Sequence, residues 1–300
     1  MHITPVNYIG RFAPSPTGKL HFGSLVTAIA SYLRARSQSG KWLVRIEDVD
    51  TTRIQKDAIY SILTVLEQYG FQWDDEIIYQ SKRSHIYQDY LKLLKSKEFV
   101  YNCICNRKGI SQHDIQPQTG EAIYRGRCRN LNILDLKKHS KRIKVNNIEI
   151  SFIDLIYGML KQNIMNEVGD FTIWRVENFA SYQLAVVIDD HLQGITEVVR
   201  GSDLLLQTPR QIYLQKYLDF KTPSYAHIPI VVNELGQKLS KQTKAYPLLM
   251  ENSRENIFSA LKYLGINSFF ISIINDESKN NAEILINSAK YFKFNLVKIF

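Results

Sequence analysis

Residues 11–24, RFAPSPTGKLHFGS (Arg11 to Ser24), decide how the rest of this chain is read. An apolar run with Val6, Tyr8 and Ile9 leads into the stretch, and a helical pattern of Leu25, Val26, Ile29 and Leu33 follows it. Pro14 and Pro16 stiffen the backbone, while Gly10, Gly18 and Gly23 let it turn tightly. A strand, a glycine-bearing turn and a helix N-terminus make a natural phosphate seat. The unpaired N–H groups and the helix dipole there favour an anion.

Outward from this stretch the pattern alternates. Residues 22–37 read as a helix ended by Ser37, Ser39 and Gly40, and Trp42 to Ile46 as a short strand closed by Glu47, Asp48 and Asp50. Ile54 to Tyr69 and Ser84 to Phe99 carry apolar residues at helical spacing. Alternating strands and helices predict an α/β fold with a doubly wound parallel sheet. Ligands bind such sheets at the carboxyl ends of the strands, so Arg11 to Ser15 and Glu47 to Asp50 share one rim.

Further on, Arg142 to Asp154 alternates and predicts a hairpin turning at Asn146-Asn147. Gly169 to Arg175 reads as a strand, Ser181 to His191 as a helix with Tyr182 at its start, and Ile195 to Arg200 as a strand. Gly201-Ser202-Asp203 then makes a second strand-to-helix turn. Leu204 to Leu218 reads as a helix, Ala226 to Asn233 as a strand, and Gly236 to Lys241 as a glycine-tipped basic loop. Ser253 to Phe300 is a small helical region.

A length of 300 residues allows one large domain or two smaller ones, and 45% apolar residues can build a sizeable core. The net charge of +9 favours a polyanionic partner, nucleic acid before anionic membrane. The first residues lack a signal-peptide pattern, and no apolar run reaches the roughly 18 residues of a membrane span. A soluble, cytoplasmic protein without a membrane partner is expected.

Cys103, Cys105 and Cys128 are the only cysteines. An odd number gives no disulfide framework, and three thiols so close in sequence suggest a structural zinc site. Such a site needs a fourth ligand, and on chemistry alone His113 is the natural candidate. Elsewhere, Arg11 could take a carboxylate in bidentate fashion and Glu47 an ammonium group. The competing reading makes Arg45, Glu47, Asp48, Asp50 and Arg53 a solvated charge cluster. For Arg200 the competitor is a surface ion pair with Glu197 or Asp203, and for Tyr182 a packed aromatic at a helix start.

His21-Phe22-Gly23-Ser24 stands where class I aminoacyl-tRNA synthetases have their HIGH tetrapeptide, and Lys238-Leu239-Ser240-Lys241-Gln242 stands in the place of KMSKS. In this order, and with matching segments between them, the two resemble the signatures of the glutamyl-tRNA synthetase branch. The resemblance covers roughly Tyr8 to Tyr246. Ser24 and Gln242 depart from the general signatures in ways that occur in this branch.

The resemblance implies a Rossmann-like catalytic domain at 1–100 and 141–245, a zinc-binding insertion at 101–140 and a helical C-terminal region at 246–300. It implies that Arg11, Phe12, Ala13, Pro14, Ser15, Glu47, Tyr182 and Arg200 hold L-glutamate. Two arginines would favour glutamate over glutamine, because a neutral amide leaves one cation unpaired. His21, Gly23, Ser24, Lys238, Ser240 and Lys241 would bind ATP with its Mg²⁺, with His21 and Lys241 catalytic. Tyr124-Arg125-Gly126-Arg127-Cys128 is similar to the Tyr-x3-Cys element of small enzymes in this branch, which points to Tyr124 as the fourth zinc ligand.

Only 58 residues follow Gln242, too few for a second sizeable domain. A catalytic half lacking an anticodon-binding domain resembles the glutamyl-queuosine tRNA(Asp) synthetases. These activate glutamate with ATP and esterify the cyclopentene-diol of queuosine in the anticodon of tRNA(Asp). A monomer is expected. The alternatives are a shortened enzyme charging a tRNA 3′ end, a non-catalytic tRNA-binding paralogue, and a nucleotidylyltransferase using another carboxylate.

Overall fold

The computed structural model describes residues 8–106, 110, 120, 122–134, 138–232, 246–274 and 277–299. The first half alternates as the sequence implies: β1 (Ile9–Phe12), α1 (Phe22–Ser37), β2 (Lys41–Ile46), α2 (Ala58–Gln68), β3 (Ile78–Tyr79) and α3 (Ser84–Ser96). It continues with β4 (Val100–Cys103), β5 (Ser140–Ile143), β6 (Glu149–Asp154), β7 (Gly158–Asn163), α4 (Ile164–Glu167) and β8 (Thr172–Trp174). Then follow α5 (Tyr182–Leu192), β9 (Glu197–Gly201), α6 (Thr208–Tyr217) and β10 (Ser224–Ile228). Three helices close the chain: α7 (Ser253–Tyr263), α8 (Ser268–Ile274) and α9 (Asn281–Ser288).

β1, β2 and β3 form one parallel sheet, and β9, β10 and β6 another, with β7 antiparallel on its edge. The two halves meet at β1 and β9, where Thr196 N–H donates to the Ile9 carbonyl at 2.9 Å and Ile9 N–H donates to Thr196 Oγ1 at 3.0 Å. The chain order reverses between these strands, and the carboxyl ends on either side of such a point form a crevice. Arg11 and Arg200 occupy those two ends.

One core packs α1 and β2 with α2, and α7 and α9 place Ile257, Leu261, Ile284 and Leu285 in the same cluster. A second core joins α3, α5 and α6 with β5. Among the described residues no helix is long and apolar enough to cross a membrane.

The hairpin expected over Arg142 to Asp154 does not form. β5 instead pairs antiparallel with β4 and β8, while β6 pairs with β7. Asn146 is taken up by α6: its N–H donates to Tyr213 Oη at 3.2 Å and its Nδ2 to Tyr217 Oη at 2.7 Å. The turn lies later, where Asp154 Oδ1 accepts from Ile156 N–H at 3.0 Å and Tyr157 N–H at 2.9 Å, and Gly158 supplies a φ of +76°. β10 stops at Ile228, ahead of Pro229, which has no N–H to donate. Asn233, to which that strand was expected to run, lies outside the described residues. Residues Ser202–Gln207 form a 3₁₀ turn, and α6 proper begins at Thr208 with Pro209 in its first turn.

Candidate active site and metal centre

Arg11 is buried at the end of β1. Its Nε donates to Asp190 Oδ1 at 3.0 Å and its Nη2 to Oδ2 at 3.3 Å. Asp190 also accepts from Arg45 Nη2 at 2.7 Å, and that same nitrogen lies 3.4 Å from Glu47 Oε1. Arg45, Glu47 and Asp48 are all buried, which excludes a solvated cluster for these three. Burial pushes the Glu47 carboxyl up to about 6, although Arg45 and Arg11 pull the other way. For Asp190 burial also acts upward, but Arg11 and Arg45 outweigh it and hold the carboxyl below its usual range. The loop is stitched to the neighbouring strand end by Glu47 N–H donating to the Pro14 carbonyl at 3.0 Å.

Arg200 ends β9 inside the protein and forms no surface ion pair. Its Nε donates to His227 Nε2 at 3.0 Å, Nη1 to Gln211 Oε1 at 2.8 Å and Nη2 to Thr208 Oγ1 at 2.9 Å. Tyr182 Oη lies 3.4 Å from Nη1. Glu197 is engaged elsewhere, by Arg34 at 2.8 Å and Tyr8 at 3.0 Å. Behind His227, Asp154 Oδ2 lies 2.6 Å from Nδ1. Burial pushes His227 down to about 4, Asp154 opposing and Arg200 adding to the shift. The ring is therefore neutral at physiological pH. Its Nδ1–H donates to Asp154 and its Nε2 accepts from Arg200.

A cavity of about 370 Å³ is lined by Arg11, Phe12, Ala13, Ser15, Glu47, Tyr182 and Arg200. Pro14 is not among the residues that line it. A second cavity, of about 180 Å³, is lined by His21, Gly23 and Ser24, and shares Thr27, Gly201 and Asp203 with the first. His21 caps α1, with Nδ1 accepting from Ser24 N–H at 3.3 Å, which leaves the ring proton on Nε2. A third cavity, of about 230 Å³, shares Ser15, Glu47, Arg53 and Tyr182 with the first. Lys238, Ser240 and Lys241 lie outside the described residues. Asp190, Arg45, His227 and Asp154, which the sequence reading left unassigned, provide the frame that holds its candidates.

The three cysteines converge, their sulfur atoms all within 4.8 Å of one another. Cys105 Sγ lies 3.5 Å from Cys128 Sγ, and Tyr124 Oη lies 3.4 Å from Cys103 Sγ and 3.3 Å from Cys105 Sγ. Zinc bond lengths of about 2.3 Å to sulfur and 2.0 Å to oxygen give tetrahedral edges of roughly 3.8 and 3.5 Å. The three thiols could hold a metal ion, and the separations of Tyr124 Oη from Cys103 and Cys105 Sγ are close to the sulfur–oxygen edge. Arg142 Nε donates to Cys103 Sγ at 3.3 Å, and its guanidinium lies 4.2 Å over the Tyr124 ring. Burial and the thiols push the Tyr124 phenol up, and a bound dication acts the other way. His113, the rival ligand, lies outside the described residues.

The sheet order, the crevice between β1 and β9 and the capped helix α1 suit a class I aminoacyl-tRNA synthetase catalytic domain, and the family match shows that class. Residues 9–296 match the family of class I tRNA synthetases (E and Q), catalytic domain. The chain is 50% identical over 261 residues to the glutamyl-Q tRNA(Asp) synthetase of Neisseria gonorrhoeae, covering 86% of this chain and 88% of that one. It is 48% identical over 264 residues to that of Thiobacillus denitrificans, covering 88% and 87%. This chain belongs to the glutamyl-Q tRNA(Asp) synthetase family. The fold also matches the crystal structure of glutamate-tRNA synthetase from Elizabethkingia anophelis, with a TM-score of 0.79 at 24% identity over 97% of this chain. The chain spans 66% of that structure's length.

Proposed function

We propose that this chain is an ATP-dependent ligase that activates L-glutamate and transfers it to the queuosine base in the anticodon of tRNA(Asp). The observation carrying this reading is one cavity that joins two arginines, a carboxylate and a tyrosine, beside a second cavity at the N-terminus of α1. A dicarboxylic amino acid matches the first, with Arg11 and Arg200 on its carboxylates, Glu47 on its ammonium and Tyr182 against its chain. The phosphates of ATP match the second.

An α-carboxylate oxygen of glutamate attacks the α-phosphorus of ATP, and pyrophosphate leaves. The substrate itself is the nucleophile, so the protein supplies positioning and charge. His21 Nε2–H donates to the phosphates, as do Gly23 and Ser24, and we assign Lys238, Ser240 and Lys241 to the same task. Mg²⁺ arriving with ATP would supply charge neutralisation at the phosphates. A diol hydroxyl of queuosine then attacks the glutamyl carbonyl carbon, the ester forms and AMP leaves. We place that acceptor in the third cavity, which reaches the same Glu47 and Tyr182. Cys103, Cys105, Tyr124 and Cys128 hold a structural zinc that takes no part in these steps. We assign the protein to the cytoplasm, since cysteines without a disulfide suit a reducing compartment, and we take it to be a monomer.

The test is transfer of labelled glutamate, with ATP, to tRNA carrying or lacking queuosine, followed by nuclease mapping. Label on the anticodon nucleotide of queuosine-containing tRNA alone is the expected result. Label on the 3′ adenosine regardless of queuosine would overturn it.

A further inference from the structure

The two arginines of the cavity are held in opposite ways. Arg11 is salt-bridged to the buried carboxylate of Asp190, which it shares with Arg45. Arg200 makes no salt bridge among the described residues. Each of its hydrogen bonds goes to a neutral acceptor: the imidazole of His227, the amide of Gln211, the hydroxyls of Thr208 and Tyr182, and the Leu204 carbonyl. Gln211 is itself keyed, its Nε2 donating to Gln183 Oε1 at 3.0 Å, which turns its carbonyl oxygen toward Arg200.

His227 can accept from Arg200 only in the tautomer with its proton on Nδ1. Asp154 dictates that tautomer by lying 2.6 Å from Nδ1, and both side chains are 0% exposed. The Asp154 backbone contacts explain why it does not move: its Oδ1 is held by Ile156 and Tyr157 N–H groups at the β6–β7 turn. The carboxylate thus orients the guanidinium from one imidazole away without neutralising it.

We propose that Asp154 and His227 are a positioning pair for Arg200, presenting it as an unmatched cation that selects an anionic over a neutral amide side chain in the amino-acid substrate. This rests on the reading of the cavity as the glutamate site. It assigns selectivity to two residues that touch no substrate.

Asp154→Asn tests it. Asparagine keeps an oxygen for the turn but offers Nδ2–H to the ring. The proton then moves to Nε2 and faces the Arg200 N–H. In glutamate-dependent ATP–pyrophosphate exchange, the KM for glutamate is expected to rise roughly tenfold to a hundredfold, with the KM for ATP unchanged. The preference for glutamate over glutamine should fall by a similar factor. A purely structural role would leave that ratio alone. His227→Gln returns an acceptor oxygen near Nε2 and should retain more of the preference than His227→Leu. A wild-type preference in both Asp154→Asn and His227→Leu overturns the proposal. Should the variants fail to fold, side-chain ¹⁵N NMR of wild-type His227 decides: an Nδ1–H tautomer supports the pair, and an Nε2–H tautomer overturns it. Wild-type protein without any glutamate-dependent exchange would instead refute the glutamate site, leaving the tautomer measurement to judge the pair.

Discussion

Glu47 follows β2 with its carboxyl inside the protein, and burial moves its titration to about 6. An ammonium ligand needs the ionised form, so kcat/KM for glutamate is expected to fall as pH drops through about 6 in exchange assays. Glu47→Gln should remove that inflection along with most of the activity. The sign for stability is the reverse. A carboxyl raised above its ordinary 4.5 binds its proton more tightly when folded. The cost is fully present above about 6 and is relieved as pH falls toward 4.5. At pH 7.5 the neutral isostere Glu47→Gln should therefore melt no lower than wild type, and a gain of up to about 2 kcal/mol is consistent with this shift. Thermal unfolding of the two proteins checks this. Glu47 was legible as a candidate through the resemblance to the glutamyl-tRNA synthetase branch, since acids closing a strand read by themselves as a solvated charge cluster. Its supports were less so. Asp189-Asp190 in the otherwise apolar VVIDDHL segment was the available signal: a buried helix carries adjacent acids only when each meets a partner. Asp189 meets Arg83 and Tyr87, at 2.8 and 2.6 Å, and Asp190 meets Arg11 and Arg45. Which arginines they meet is set by tertiary packing, which no local pattern records.

The cluster of Cys103, Cys105, Tyr124 and Cys128 is attached to the rest of the fold through a short backbone contact. Gly169 sits at φ +69°, and a Cβ there would clash with the Tyr124 carbonyl oxygen. The next residue uses that carbonyl, Asp170 N–H donating to it at 2.9 Å, while the Asp170 carboxylate takes Tyr101 Oη and Arg129 Nε. Gly169→Ala combines a left-handed backbone with a backbone clash and is expected to destabilise the protein by roughly 2–4 kcal/mol. A lower melting temperature together with a lower zinc content is the expected outcome, since Tyr124 moves with its carbonyl. Tyr124→Phe keeps the ring beneath Arg142 and removes only the oxygen. It should weaken metal binding at least tenfold in a chelator competition, with a smaller fall in the apo protein's melting point because the Cys128 N–H loses its acceptor at 3.1 Å. The sequence marked the thiols plainly, by clustering. The sheet beneath them was harder to read, because β5 looks like half of a hairpin. Its alternation fits either partner, and Asn146 resembles a turn residue until Tyr213 and Tyr217 are seen to occupy it. The first parallel sheet was legible because its strands alternate with periodic helices, β1 with α1, β2 with α2 and β3 with α3, whose apolar faces cover it.

The whole molecule carries a net charge of +9, and the proposed reaction has two stages that feel this charge differently. Glutamate and ATP meet groups inside the crevice, where Arg11, Glu47, Arg200 and Asp190 are buried and little screened by salt. An anticodon loop must approach over the outer surface, with phosphates whose condensed counterions are released on binding. Salt therefore separates the stages. For a single-stranded loop meeting about four phosphates, a log–log slope of roughly −0.7 per phosphate weakens binding about 50-fold between 50 and 200 mM salt. The pyrophosphate-exchange rate at saturating glutamate and ATP should change by less than about threefold across the same range. Measuring both reactions on one preparation, at matched Mg²⁺, compares the slopes directly. Equal, shallow slopes would mean that the positive surface does not carry the nucleic acid and that the acceptor is held by contacts inside the crevice. A steep transfer slope beside a flat exchange slope would place the recognition of the polyanion on the outside of the fold, with the chemistry in its dry centre.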